Sequence, residues 1–223
     1  MAYALPNGMI TSFSTAFSEP LTLKEITNAD PAIAVVDGDK KMAVDDVWYA
    51  QDTELHGLRY RVGVIGPLLD GNKVTLRGIN TTNTRIFETG FGTTTTVRVV
   101  TAWQSFAEST EVSTSGGEQQ YYTLSILEDP TGNSRQVPTY KTPRVIHFKE
   151  IYDPNTAWFQ AAEKISSIGE PVVLRMRFRN GNITYLSGYL SLNVMPSIAS
   201  NTPMDNIVTF SAQSEPTLIK VSA

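Results

Sequence analysis

The chain has 223 residues and a formal net charge of −4, and 41% of its residues are hydrophobic. This length and composition are enough to bury a core in one large β domain or two small ones. The absence of cysteine excludes disulfides, thiolate metal sites and cysteine nucleophiles, and the net negative charge argues against tight binding of nucleic-acid phosphates.

Residues 1–27 are predicted to form an N-terminal arm that contains strand-forming residues. The first residues, MAYALPNGMITSFS, lack a basic segment followed by an apolar one, so we expect no secretory signal. Two interpretations of this arm stay open: a frayed tail, or a segment that docks on a neighbouring subunit.

Residues 28–100 are predicted to form a small β-barrel-like module. Short runs of strand-forming residues recur there, and turn signals such as Asp37-Gly38 and Asp70-Gly71 separate them. The predicted strands cover residues 32–36, 44–49, 58–65 and 73–77. The Thr- and Gly-rich range 80–96 is interpreted as a solvated loop, because no Gly-Lys-Ser/Thr follows its glycines as a phosphate-binding loop would require.

Residues 101–223 are predicted to form a larger antiparallel β-sandwich, entered through a strand over residues 97–103. Tyr122, Leu124 and Ile126 alternate with polar residues and indicate a further strand. Residues 128–143 contain three prolines and a Gly-Asn pair, and this composition predicts a long loop. A long loop inside a compact domain usually serves a function.

The segment DPNTAWFQAAEKISSIG, residues 153–169, is predicted to contain one helix over residues 154–168. Asp153 suits the N-cap and Pro154 the first helical position, while Gly169 suits the end of the helix. The apolar residues at helical spacing are Trp158, Ala161, Ala162 and Ile165. We expect Trp158 and Ile165 to bury this stripe against a sheet.

A hairpin is predicted after the helix, with its turn at Asn180-Gly181 and a return strand over residues 183–194. Val172, Leu174, Met176 and Phe178 point to one face of the first strand, and Val173, Arg175, Arg177 and Arg179 point to the other. The arginines are compatible with contact to nucleic acid or an acidic partner, with a solvated face, or with protection against wrong edge pairing. In an acidic chain we favour subunit contacts or solvent. The predicted fold class is thus mainly β: an antiparallel β-sandwich or barrel domain with one packed α-helix, plus an inserted small β-barrel module.

Candidate chemistry is sparse, so no enzyme, metal or cofactor is predicted. The chain has two histidines, His56 and His147, and neither stands in a pattern that suggests a catalytic triad or a zinc site. The paired carboxylates Asp45-Asp46 and Glu128-Asp129 are neighbours whose side chains diverge in a strand, which argues against shared acid–base work. No apolar run is long enough to span a bilayer, and no membrane partner is expected.

Two stretches of the chain resemble the major tail tube proteins of long, non-contractile bacteriophage tails. The first is residues 27–106, TNADPAIAVVDG…DDVWYA…LHGLRYRVGVI…KVTLRGINTTNTRIFETGFGTTTTVRVVTAWQSF, which is similar to the small β-barrel-like module of one branch of these proteins. The second is residues 115–216, which include SGGEQQYYTLSILED, the DPNTAWFQAA helix, the RFRNGNITYLSGYLSLN hairpin and VTFSAQSEP.

The resemblance implies a structural virion protein, assembled in the host cytoplasm, whose hexameric rings stack into a hollow tube lined by a continuous β-barrel. DNA would pass through this tube during infection without sequence-specific binding. The partners implied are other copies of the chain, a tape measure protein, a tail terminator and distal tail proteins. The alternative function, from a different class, is a β-sandwich carbohydrate- or receptor-binding module of a virion.

Two further expectations concern assembly. The loop 128–143 is expected to contact the next ring or subunit. The hairpin 172–194 and the strands near Tyr122 and Phe210 are expected to form the inner barrel, with the arginine face toward the lumen or a subunit boundary. Because bare arginines would retard DNA, we expect carboxylates such as Glu118 or Asp205, from the same or an adjacent subunit, to pair with them.

Overall fold

The computed structural model describes residues 7–38, 42–70, 72–87, 94–125, 127, 131, 133–198 and 200–220. Within these residues the fold is mainly β with one α-helix, as predicted. The strands are β1 (Ile10–Phe17), β2 (Leu21–Lys24), β3 (Ala32–Val36), β4 (Val47–Thr53), β5 (Val62–Leu69), β6 (Lys73–Arg77), β7 (Thr95–Ser105), β8 (Ser109–Ser115), β9 (Gln119–Leu124), β10 (Arg135–Lys141), β11 (Val145–Ile151), β12 (Pro171–Arg177), β13 (Ile183–Leu192), β14 (Asp205–Ala212) and β15 (Thr217–Ile219). The helix is α1 (Ala157–Ile168), and His56–Leu58 form a 3-10 turn.

Six strands close into a small antiparallel barrel in the order β2-β3-β6-β5-β4-β7, and pairing of β2 with β7 completes it. Leu23, Trp48, Ile65 and Leu76 fill its buried apolar interior. The small barrel predicted from the sequence is therefore present. Strand β2, which lies in the range predicted as an N-terminal arm, is one of its walls.

Two barrel strands begin later than predicted because left-handed residues precede them. Asp45 has φ 68° in the turn before β4, which begins at Val47 rather than at residue 44. Tyr60 has φ 61° after the 3-10 turn, and β5 begins at Val62 rather than at residue 58. Residues other than glycine adopt this conformation in turns and not inside strands.

The range predicted as a solvated loop, 80–96, is in part buried where the structure describes it. The Thr81 hydroxyl donates a hydrogen bond to Thr27 O at 2.6 Å, and Phe87 packs into the barrel core. Residues 88–93 lie outside the described residues. Residues 80 and 82–86 are an exposed loop, as predicted. The prediction was wrong for Thr81 and Phe87, which are buried against the barrel, and for Thr95 and Thr96, which already belong to β7.

The remaining large sheet, here called the main sheet, has the strand order β1-β12-β13-β14-β11-β8. The eleven-residue strand β7 belongs to both structures: its first half pairs with β2 and β4, and its second half pairs with β1. One continuous strand therefore joins the barrel to the main sheet.

The helix packs on one face of the main sheet and the barrel on the other. Val172 and Leu174 lie in the core under the helix, as predicted, while Val173 and Tyr185 lie in a second apolar cluster with barrel residues. Strand β15 adds to this contact, because it pairs with β13 and its Thr217 hydroxyl donates to Val62 O at 2.6 Å.

The helix begins at Ala157, three residues later than predicted. The Asp153 carboxylate accepts a hydrogen bond from Asn155 N at 2.9 Å, and the Thr156 hydroxyl donates to Asp153 O at 2.7 Å. Asp153 therefore organises the turn that precedes the helix, and Thr156 is the N-cap residue. The predicted end is confirmed: Gly169 has φ 72° and its N–H donates to Ile165 O.

Candidate assembly surfaces

The apolar side of α1, which was predicted to pack on a sheet, packs against a cluster of aromatic side chains. Trp158 is 2% exposed and its ring centroid lies 5.8 Å from that of Phe106. Phe106 also contacts Phe13 and Phe148, at centroid distances of 4.9 and 5.1 Å. Ile165 is half-buried and packs against the same cluster. Sequence reasoning missed Phe106, because this residue lies in the short link between β7 and β8 and shows no periodicity.

The arginine stripe runs from β12 into the turn that follows it, and it consists of one half-buried and two exposed side chains. The Arg175 guanidinium lies 4.3 Å from the centre of the Trp103 ring, at the boundary between main sheet and barrel. Burial lowers the pKa of Arg175 from its usual value. Arg177 and Arg179 are exposed. The stripe thus faces the barrel side of the main sheet, and only its last two members are free to meet another molecule.

Within the described residues, none of the three arginines of this stripe forms an ion pair with a carboxylate of the same chain. The ion pairs there join Lys24 to Asp37, Arg77 to Asp45, Lys141 to Glu215 and Lys149 to Asp205. Asp205 is therefore occupied by Lys149, at 2.8 Å. Glu118 is exposed in the link after the edge strand β8, which lies across the main sheet from β12. Pairing with an adjacent subunit stays a prediction.

The predicted turn at Asn180-Gly181 connects β12 and β13, and the strands pair with Arg177 opposite Ile183. Gly181 has φ 83°, and its N–H donates to Phe178 O at 2.9 Å. The Asn180 side chain accepts a hydrogen bond from Asn182 N at 3.1 Å. A side chain at Gly181 would be strained at this φ, so the pair fixes the hairpin.

Much of the segment predicted as a loop, 128–143, is instead strand β10, which pairs with β9 as a separate two-stranded sheet. This prediction was wrong because Pro138 suggested a loop. Proline is tolerated in an edge strand, where its missing N–H faces solvent. Residues 126, 128–130 and 132, at the tip, lie outside the described residues.

The hairpin β9–β10 exposes aromatic side chains on both of its faces. Tyr122 is 61% and Tyr140 65% exposed, and Tyr121 and Val137 are exposed as well. Neighbouring residues of a strand point to opposite faces, so Tyr121 and Tyr122 mark different sides. An isolated two-stranded hairpin is marginally stable in water. The hairpin therefore has the character of a contact element that another surface completes.

The base of the hairpin is fixed by glycines and by an ion pair. Gly116 and Gly117 have φ 75° and 81°, and a Cβ on Gly116 would lie 1.9 Å from Pro143 O. Lys141 Nζ lies 2.7 Å from Glu215 Oε1. This hydrogen bond lowers the pKa of Glu215. These contacts at the base of the hairpin therefore attach it to the segment before β15.

A second exposed apolar surface is the connection between β13 and β14, residues 193–204, here called the methionine loop. Met195 is 74% and Ile198 76% exposed, and Val194 and Met204 are also exposed. A hydrogen bond closes the base of this loop: Asn206 Nδ2 donates to Asn193 O at 2.6 Å. Sequence reasoning described part of this segment as a loop and missed its apolar surface, although its composition was visible.

Within the residues that the structure describes, strand β8 forms an edge of the main sheet and pairs with β11 alone. Its sequence, STEVSTS, contains no proline or lysine, the residues that commonly protect an edge. The two faces of the sheet near β8 differ. The face toward the helix is apolar, whereas the opposite face carries Ser113, Thr209 and Ser191. We call this opposite surface of β8, β11, β14 and β13 the hydroxyl face.

The part of the chain that the structure describes shows no group of three or more His, Asp or Glu residues that could hold a metal ion. His147 Nδ1 lies 3.1 Å from the Thr209 hydroxyl in the hydroxyl face. Over the same residues, no helix combines the length and apolar character that crossing a membrane requires.

A family model described as "Phage tail tube protein, TTP" matches residues 58–221, which are 164 of the 223 residues. No curated protein matches the chain. Among solved structures, a chain from the tail of an empty GTA particle, refined with helical and C6 symmetry, is 12% identical with a TM-score of 0.43. The match covers 53% of this chain and 87% of that one. A chain from the virion of a native gene transfer agent (GTA) particle is also 12% identical, with a TM-score of 0.41, and 53% and 89% of the two chains are covered.

Proposed function

We propose that this chain, which belongs to the phage tail tube protein family, assembles into hexameric rings that stack into the tail tube and conduct DNA out of the virion. Membership of the family makes the chain a structural component of a phage-type virion. The ring, the stack and the passage of DNA are the proposal.

The observation that carries the proposal is the hairpin β9–β10, whose described residues expose tyrosines on both faces and form a two-stranded sheet of their own. Tyrosine is enriched at protein–protein contacts, where its ring provides area and its hydroxyl a hydrogen bond. A monomeric role gives no reason for such an element. A repeating assembly does, because each copy then covers the hairpin of another.

The edge strand β8 supports lateral contacts between copies within a ring. An unprotected edge presents a row of free backbone N–H and C=O groups, and pairing with a neighbouring copy satisfies them. Pairing across such edges would extend the main sheet from copy to copy. The wall of the tube would then be a continuous barrel.

The hydroxyl face is our candidate for the surface that lines the channel. The two apolar clusters that contact the helix and the barrel do not include its residues, and it carries Ser113, Thr209 and Ser191 together with the exposed Tyr189 and Ile207. The Lys149 ammonium on this side is paired with Asp205. A weakly charged polar lining suits a DNA conduit, because unpaired cations would bind phosphates and retard the DNA. This replaces the arginine stripe, whose first member lies at the barrel contact.

The other partners follow from the family role. We propose that the ends of the tube meet a tail terminator and distal tail proteins, that a tape measure protein occupies the growing tube, and that the chain carries no enzymatic activity. The alternative, a β-sandwich module that binds carbohydrate or a receptor, predicts a chain that remains small.

Mass measurement separates these functions. Light scattering of the purified full-length chain at increasing concentration is expected to show hexamers or longer polymers. A chain that stays monomeric over the whole concentration range contradicts the proposal and favours the binding module.

A further inference from the structure

The hairpin β9–β10 and the methionine loop lie at opposite ends of the same strands. The hairpin leaves the main sheet beside Val145, which pairs with Ser211, and the methionine loop ends at Asp205, which pairs with Ile151. Strand β11 has seven residues, and at about 3.4 Å per residue its two ends are about 20 Å apart. Each copy thus carries one exposed apolar element at each end of its sheet.

The two elements are chemically complementary. The hairpin offers the rings of Tyr121, Tyr122 and Tyr140, and the loop offers the thioethers of Met195 and Met204 beside Ile198. Methionine adapts its shape to a partner, and its sulfur makes favourable contacts with aromatic rings. Exposed apolar groups of this extent mark interaction sites.

We propose that the hairpin β9–β10 of one copy docks on the methionine loop of a second copy in the next ring. This inference rests on the proposed stacking and names the two surfaces that form it. A contact between different surfaces at opposite ends is heterologous, so it repeats without closing and produces an open stack of rings. A hairpin that met another hairpin would close after two copies.

The absence of cysteine from the chain allows a direct test. Full-length variants Tyr122→Cys and Met195→Cys, alone and combined, are allowed to assemble and are then treated with a short bifunctional maleimide. We expect the double variant to give a ladder of covalent oligomers on a denaturing gel, because each copy offers both thiols. Each single variant should stay monomeric, and a mixture of the two should give dimers and nothing longer. Pairing Tyr122→Cys with Ile168→Cys, at an exposed residue of α1, is the matched control and should give no ladder.

The outcomes distinguish the inference from the function on which it rests. Normal tubes by electron microscopy without a ladder, or dimers from Tyr122→Cys alone, overturn the docking and leave the tube function standing. Failure of the unmodified chain to form tubes overturns the tube function itself.

A second variant guards against effects of the cysteines. Met195→Glu combined with Ile198→Glu should keep the thermal melting temperature of the wild type, since both side chains are exposed, and should abolish tubes. Wild-type tubes from this variant contradict the docking.

Discussion

Glu150 Oε1 lies 2.5 Å from the Ser109 hydroxyl, which donates a hydrogen bond to it, and the whole Glu150 side chain is buried. Its other carboxyl oxygen, Oε2, is buried without a partner within the described residues. Burial raises the pKa of Glu150 to about 7, and the Ser109 hydrogen bond, which favours the charged form, offsets only part of this effect. The folded chain therefore holds the proton more tightly than the unfolded chain does.

The free energy of unfolding should fall as the pH rises through this range. Below a pH of about 4.5 both states are protonated and the stabilisation is complete; it is lost as the pH rises through about 7, with a total of about 1–3 kcal/mol. Chemical melts at pH 5 and pH 8 check this, and Glu150→Gln should flatten the dependence. Glu163→Gln, at an exposed position of α1, is the control and should leave it unchanged. Equal slopes for wild type and Glu150→Gln would contradict the assignment.

Trp158→Ala should lower the free energy of unfolding by about 3–5 kcal/mol, because it removes a buried ring from the cluster around Phe106 and leaves a cavity. Ile168→Ala, at an exposed position of the same helix, should stay within about 0.5 kcal/mol of the wild type. Urea melts of both variants provide the comparison, and wild-type stability of Trp158→Ala would refute the packing role.

The arginine stripe predicts different results for two charge reversals. Arg175→Glu should destabilise the monomer, because it removes the contact with Trp103 and places a carboxylate at a half-buried site. Arg177→Glu should keep the melting temperature and impair ring assembly, because Arg177 is exposed and available to a neighbouring carboxylate. Thermal melts and scattering of both variants distinguish these effects. Unimpaired rings from Arg177→Glu would exclude it from the subunit contact.

Several elements were predictable because their signals are local. The alternation from Val172 to Leu174 marked the two faces of β12, Gly181 marked its turn, and the spacing around Trp158 marked the buried side of α1. Each of these depends on neighbours within a few residues, which a single sequence displays.

Other features arise from packing between distant segments. Val173 lies at the contact between main sheet and barrel, and nothing near it in sequence indicates that the barrel would cover that face. Likewise Pro138 suggested a loop, since its place in an edge strand depends on pairing with Tyr121. The proposed assembly surfaces were only partly predictable for the same reason: the segment 128–143 was singled out as a contact, but neither its hairpin conformation nor the methionine loop at the opposite end was indicated by the sequence.

The hydroxyl face offers a test of the channel lining. Thr209→Arg combined with Ser113→Arg should leave tubes intact, because arginine side chains can extend into a wide channel, and should slow DNA release through phosphate contacts. Release from virions that carry the variant is measured at low and at high salt, where screening should restore the rate. Matched arginines at Glu163 and Lys164, on the exposed side of α1, are the control. An unchanged release rate would exclude the hydroxyl face from the channel.

Removal of the hairpin tests assembly along the tube. Replacing residues 120–139 with a short Gly-Ser turn should leave the monomer folded, because β9 and β10 form a sheet of their own and expose most of their side chains. The variant should keep the melting temperature and form no tubes. Normal tubes from it would show that the hairpin is dispensable.

Electron microscopy of the purified full-length chain tests the central claim most directly. The account predicts hollow tubes whose cross-sections average to six copies around an open channel, with a regular axial repeat. Isolated monomers at every protein concentration tested, or closed particles without a channel, would contradict it.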